Sequence, residues 1–177
     1  YAMDLLMDPK IPVVSLIGKA GSGKTLLALA AALQQTFGEM ADERKYNRVI
    51  VTKPVEPVGK DIGFLPGTME EKMMPWLAPI QDNLQFLFGN DRMTLDMHID
   101  EGRIEVEAMT YIRGRSISNS FVIIDEVQNM TRHEIKTVLT RIGENTKIVL
   151  TGDVEQIDNV YVDSTTNGLS YVIEKFK

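Results

Sequence analysis

The chain has 177 residues, the size of one domain and large enough to bury a core without staples. Hydrophobic residues make up 44% and charged residues 25%, which excludes a disordered chain, and the absence of cysteine excludes disulfides, thiolate metal sites and thiol chemistry. The formal net charge of −6 excludes a bulk attraction to nucleic acid and leaves only a local basic surface for that role.

Tyr1 to Met7 reads as the end of an amphipathic helix stopped before Asp8-Pro9. The chain opens at Tyr1 and not at Met, so residues 1–177 are expected to be one domain taken from a longer protein. No run reaches the ~18 apolar residues of a membrane span and no signal-peptide pattern opens the chain, so a cytoplasmic, membrane-free protein is expected. Pro12 to Ile17 is a short β-branched run, read as a buried strand. Gly18 to Gly23 is a glycine-rich turn, and Lys24 to Thr36, rich in Ala and Leu, is a helix. A polar stretch leads to a second buried strand at Arg48 to Thr52. Lys53 to Gly67 holds three prolines and three glycines without periodicity and reads as a loop. Thr68 to Phe88 is helical in tone, with Pro75 and Pro79 expected to kink or divide it.

Asn90 to Gly102 fits no single template. Ile104 to Met109 alternates like a strand, and Phe121 to Ile124 is an apolar strand capped by Asp125-Glu126. Thr131 is placed to cap a helix reaching about Ile142, with Glu134 completing a capping box. Lys147 to Leu150 is a strand ending at Thr151-Gly152-Asp153, Asp153 to Asn167 is loop, and Gly168 to Lys177 is helical. Strands alternating with helices predict an α/β fold, a mostly parallel sheet with helices on both faces.

Gly18-Lys19-Ala20-Gly21-Ser22-Gly23-Lys24-Thr25 matches G-x-x-x-x-G-K-[ST]. The glycines let backbone N–H groups approach phosphate oxygens, and the following helix directs its N-terminal dipole at the anion. Lys24 adds a charge at the β- and γ-phosphates, Thr25 offers a hydroxyl to Mg²⁺, and Leu26 completes the binding segment. Chance alone yields the bare pattern in well under ~1% of chains this long, and here a strand precedes it and a helix follows it. The loop by itself does not separate ATPases from kinases or GTPases.

Two carboxylates end the strand at Asp125-Glu126, where ligand sites of parallel sheets lie. Asp125 is expected to hold a magnesium-bound water and Glu126 to act as general base on the attacking water. A kinase must exclude that water, so a dedicated Glu beside the magnesium aspartate points to hydrolysis. Gln156, after the last strand, is a candidate sensor of the γ-phosphate, although T-G-D is also an ordinary turn. No Asn-Lys-x-Asp guanine-reading motif is present, which argues against a GTPase.

Several segments together resemble the PhoH family of P-loop ATPases, related to the first RecA-like domain of superfamily-one helicases. The resemblance rests on Gly18 to Thr25, Val51-Thr52-Lys53-Pro54-Val55-Glu56-Pro57, Gly63-Phe64-Leu65-Pro66-Gly67 and Glu71-Lys72. It continues through Tyr111-Ile112-Arg113-Gly114-Arg115, Ile124 to Asn129, and Thr151-Gly152-Asp153 with Gln156. Val160-Tyr161 and Asn167-Gly168-Leu169 are most similar to a version fused to an N-terminal PIN nuclease domain. The resemblance implies a single RecA-like domain that binds ATP with Mg²⁺, hydrolyses it, and couples this to RNA unwinding or processing.

No second RecA-like domain fits in 177 residues, so a homo-oligomer is expected, a ring such as a hexamer. Arg113 or Arg115 would then reach a neighbour's ATP. Lys53, Lys60, Phe64 and Trp76 are candidates to meet RNA, although Phe64 and Trp76 read more readily as core. The rival functions are a P-loop small-molecule or nucleoside kinase and a nonhydrolysing nucleotide-dependent scaffold.

Overall fold

The computed structural model describes residues 1–40, 42–54, 69–109, 116–159 and 161–175, the side chains of 69–74 excepted. Five strands form one sheet: β1 (Val13–Ile17), β2 (Arg48–Lys53), β3 (Ile104–Ala108), β4 (Ser120–Ile124) and β5 (Lys147–Gly152). Their order is β1-β5-β4-β2-β3, and every neighbouring pair is parallel. This is the α/β, all-parallel architecture of a single P-loop RecA-like domain.

Side-chain alternation divides the core in two. Val49, Val51, Phe121, Ile123 and Val149 point to one face. There they meet α1 (Ala2–Met7), α2 (Lys24–Phe37), α3 (Met69–Leu87) and α4 (Arg92–Asp100), through residues such as Leu6, Leu29, Ile80 and Leu95. Ile50, Val122, Ile124, Ile148 and Leu150 point to the other. There a short 3-10 turn (Val127–Asn129), α5 (Arg132–Leu139) and α6 (Gly168–Lys175) close over them. Every residue of β4 and β5 is buried, which is why these strands read as unbroken apolar runs and not as alternating ones.

Three elements differ from the sequence reading. Pro75 and Pro79 lie inside one continuous helix, α3, and so do not divide it. Both prolines are exposed, so the carbonyls deprived of a donor can turn to water. The ambiguous stretch at 90–102 is α4, started by Asp91, whose carboxylate accepts from Thr94 N at 3.1 Å and Thr94 Oγ1 at 2.6 Å. Only Leu95 of that helix is buried, so its apolar pattern is too thin to see in one dimension. The helix begun at Thr131 stops at Leu139 and not near Ile142, because Ile142 leaves to form a parallel bridge with Ile117. The capping box itself is present, with Thr131 Oγ1 accepting from Glu134 N and Glu134 Oε2 accepting from Thr131 N.

Candidate functional site

The carboxyl ends of β1, β4 and β5 converge on one polar cluster. β1 runs straight into the glycine loop, and Gly18 N donates to Gly152 O at 3.2 Å, which extends the β1–β5 pairing by one step. Gly21 and Gly23 have φ of 74° and 80°, a left-handed conformation in which an ordinary side chain is strained. Gly23 is also the residue from which α2 starts, so the loop amides and the helix N-terminus face the same way. Lys24 Nζ donates to Gly18 O at 2.6 Å and to Lys19 O at 2.9 Å, which holds its charge over the loop.

The loop amides already meet an anion within the chain. Ala20 N donates to Asp153 Oδ2 at 2.9 Å, across 133 residues of sequence. Glu155 N donates to the other oxygen of Asp153 at 3.0 Å. The Glu155 N–H first, then the Ala20 N–H and the charges of Lys24 and Lys19, hold the Asp153 carboxyl below the usual carboxylate range. Lys19 and Glu155 also approach to 4.0 Å, but both are exposed and such a pair adds little.

Asp125 sits at the end of β4, nearly buried, with its N–H donating to Thr52 O at 2.8 Å. Its Oδ1 accepts from Thr25 Oγ1 at 2.9 Å and from Thr151 Oγ1 in a very short bond. The first residue pair expected to hold magnesium is therefore in contact, although the two lie 100 positions apart. A carboxylate and a hydroxyl on neighbouring elements fit a small, hard cation that takes its remaining ligands from water and phosphate. Among the described residues no cluster of three or more His, Asp or Glu offers an all-protein cage, so the pair is the candidate metal site.

Glu126 follows in a left-handed conformation, φ 57° and ψ 43°, uncommon for a residue with a side chain. Asn129 N donates to its carbonyl at 3.0 Å and Gln128 Nε2 to its Oε2 at 2.5 Å. Gln156 is exposed; its N–H donates to Asp153 O at 3.2 Å and its carbonyl accepts from Gln128 Nε2 at 2.9 Å. So the structure draws the Gln156 backbone to the site and leaves its amide side chain at the surface. Lys53 is half-buried at the end of β2 and Trp76 half-buried in α3. Arg113, Arg115, Lys60 and Phe64 lie outside the described residues.

Two site residues went unassigned in the sequence. Gln128 is fully buried and touches three segments of the site, and Asp153 joins β5 to the phosphate loop. The local signal was a polar residue, Gln128, two positions after the carboxylate pair that ends an apolar strand. Beside the loop an open cleft of about 310 Å³ runs between Tyr1, Leu5 and Ile17 on one side and Gly23, Lys24 and Leu27 on the other. A larger cavity of about 500 Å³ lies at the far end of α2, among Leu33, Phe37, Met40 and Phe88. Volume alone would choose that one, but the charged and hydroxyl groups stand at the smaller cleft.

Residues 2–177 match the protein family described as PhoH-like protein. The chain is 59% identical over 178 residues to Protein PhoH2 of Bacillus subtilis (strain 168), covering 99% of this chain and 39% of that protein. Protein PhoH2 of Mycolicibacterium smegmatis is 44% identical over 177 residues, again 99% of this chain and 39% of the relative. A PhoH-like protein of Synechocystis sp. (strain ATCC 27184 / PCC 6803 / Kazusa) is 40% identical over 149 residues, 84% of this chain and 43% of that protein. The chain thus spans about two fifths of the length of these relatives.

Proposed function

With the chain established as a member of the PhoH-like protein family, we propose that it binds ATP and hydrolyses it, and that hydrolysis is coupled to RNA unwinding or processing. The observation that carries the reading is the bond from Thr25 Oγ1 to Asp125 Oδ1 at the mouth of the phosphate loop. It joins the two halves of a phosphoryl-transfer site that the sequence holds 100 residues apart.

In this reading the loop from Gly18 to Thr25, with Leu26, takes the phosphates on its N–H groups, and Lys24 neutralises the β- and γ-oxygens. The nucleoside end lies toward the cleft at Leu5 and Leu27. Thr25 and Asp125 would hold the magnesium ion, which when bound screens the phosphate charge. Glu126 accepts a proton from the attacking water as the water oxygen bonds the γ-phosphorus and the bond to the β–γ bridging oxygen breaks. ADP and phosphate leave. Gln156 would contact the γ-phosphate region only after turning inward from its exposed position.

The proposed partners are RNA, further copies of the chain in a ring-like homo-oligomer, and a PIN nuclease domain elsewhere in a longer cytoplasmic protein. Among the described residues no helix is long and apolar enough to cross a membrane. Arg113 or Arg115 from a neighbouring copy would supply the transition-state cation, since Arg is planar, always charged and bidentate. Mixing the inactive variants Arg113→Ala/Arg115→Ala and Glu126→Gln should restore turnover at sites built from one good partner on each side. No recovery after verified subunit exchange would remove the trans arginine.

The central test is phosphate release from ATP, with and without single-stranded RNA and with a hydroxyl acceptor as control. Release that depends on Lys24 and rises with RNA supports the reading. Phosphate appearing on the acceptor would make the protein a kinase, and nucleotide binding without release would make it a scaffold.

A further inference from the structure

We infer that Gln128 is a positioning residue for hydrolysis: it aims the Glu126 carboxylate and ties it, through Asp153, to the phosphate loop. The inference rests on the reading of Glu126 as general base. Gln128 is fully buried, yet its amide is engaged on every side. Nε2 donates to Glu126 Oε2 at 2.5 Å and to Gln156 O at 2.9 Å, while Oε1 accepts from Asp153 N at 3.1 Å. The Asp153 carboxylate in turn accepts from Ala20 N at 2.9 Å. A continuous hydrogen-bonded path therefore runs from the phosphate loop to the carboxylate beside the magnesium aspartate.

The amide has one workable orientation. Its NH₂ faces a carboxylate and a carbonyl, both acceptors, and its oxygen faces an N–H. Rotating it by half a turn would set acceptor against acceptor twice and donor against donor once. A glutamate in its place would lose both donors. A residue needed only to fill the core would serve better as an apolar side chain, because a buried amide is costly unless each bond is made.

Two further features fit this role. Glu126 stands at φ 57°, and the Gln128 amide and the Asn129 N–H are what hold its side chain and backbone. The bond from Gln128 engages one carboxylate oxygen, and the proposed attacking water would take the other. At the end of β5, a Cβ on Gly152 would come within 2.7 Å of Gln128 Oε1 and 2.8 Å of Leu169 Cδ2. The glycine there makes room for the amide, with no left-handed backbone to explain it.

The experiment is a double-mutant cycle. Gln128→Met keeps the length and removes the hydrogen bonds, and it is made in the wild-type protein and in Glu126→Gln. Phosphate release, ATP affinity and melting temperature are measured for all four proteins. If Gln128 acts through Glu126, Gln128→Met should lower kcat about 10- to 100-fold, the scale of a misplaced catalytic group. KM should stay within about threefold, and the same substitution should add no further loss to Glu126→Gln. Gln128→Glu, with acceptors where donors are needed, should fall at least as far. A purely structural Gln128 would instead lower activity by the same factor in both backgrounds, and that result overturns the inference. Slow Glu126→Gln with wild-type Gln128→Met overturns the inference alone, whereas wild-type turnover by Glu126→Gln overturns the base reading and this inference with it. If Gln128→Met does not fold, Gly152→Ala presses on the amide from the other side and should show the same non-additive loss with Glu126→Gln; additive loss there counts against the inference equally.

Discussion

The two ends of the sheet bury charge in opposite ways. At the amino ends of the strands, Lys147 is fully buried at the start of β5, and Nζ donates to Leu5 O at 2.9 Å and to Asp8 O at 2.7 Å. Gln35 Nε2 adds a bond to Leu6 O at 3.0 Å. The last carbonyls of α1, which no helix can satisfy by itself, are thus closed by two side chains, one of them cationic at the negative end of the helix dipole. Burial holds Lys147 below the usual lysine range, with the Asp8 charge pulling it partly back. At the carboxyl ends two carboxylates are buried: Asp153 accepts from the Ala20 and Glu155 N–H groups, and Asp125 accepts from the hydroxyls of Thr25 and Thr151 on two other segments.

Backbone partners make a static joint, because carbonyls of a packed helix do not move away singly. Side-chain partners drawn from a helix and a strand make a site that can exchange a hydroxyl for an ion or a water. Left-handed backbone occurs at both ends, but at the amino ends it falls on Asn119 and Asn145, a residue type that tolerates it. The left-handed Glu126 stands at the carboxyl end, where the proposed chemistry justifies a conformation that costs about 1–3 kcal/mol. Stability and turnover should therefore separate between the ends.

The largest expected effect is at the carboxyl end. Glu126→Gln should lower phosphate release about 100-fold or more while ATP binding is kept. Its melting temperature should move by no more than about 2 °C, since a half-buried isosteric change disturbs little packing. Wild-type turnover, or a large drop in melting temperature, would break the comparison at this end.

Lys147→Met tests the amino end and should do the reverse. It leaves the Leu5 carbonyl without its donor and the Asp8 carbonyl with the Ile11 N–H alone, a loss of about 2 kcal/mol. For a domain of this size that is a fall of about 4–8 °C in melting temperature. Phosphate release per folded molecule should stay within about twofold. Lost turnover at an unchanged melting temperature would show that α1 is part of the site and not merely its support.

The smallest effect sharpens the contrast at the rim of the carboxyl end. Asp163 accepts from Thr165 and Thr166 in the turn that leads into α6, and these bonds lower its pKa to about 2. An unfolded aspartate titrates near 3.9, so the folded state binds fewer protons between these values. The stabilisation is complete above the unfolded value and is lost as the pH falls from about 4 to about 2. Asp163→Asn should flatten the acid dependence of stability in that window alone. Urea melts from pH 5 to pH 2 would check it, and an unchanged slope would remove the turn from the set of native anchors.

Much of the molecule is written in short stretches of sequence. The strand, glycine loop and helix from Pro12 to Phe37 are contiguous, and so are Thr131 with Glu134 and the run from Phe121 to Glu126. Each of these follows from neighbours within a few positions: hydrophobic period, left-handed glycines, a capping side chain. That is why the phosphate loop, the parallel sheet and the carboxylate pair could be read directly. The stretch at 90–102 could not, because a helix with one buried residue is decided by what packs on it.

Only the tertiary structure decided which polar residues act together. Ala20 meets Asp153 across 133 positions, Lys147 meets Leu5 across 142, and Thr25 meets Asp125 across 100. A side chain's burial and its partner come from the order β1-β5-β4-β2-β3, which brings β1 beside β5 although they lie at opposite ends of the chain. Gln128 shows the limit most clearly. In sequence it is one amide among several; in the fold it is enclosed by the ends of β4 and β5, where water cannot reach and every hydrogen bond must be found within the protein.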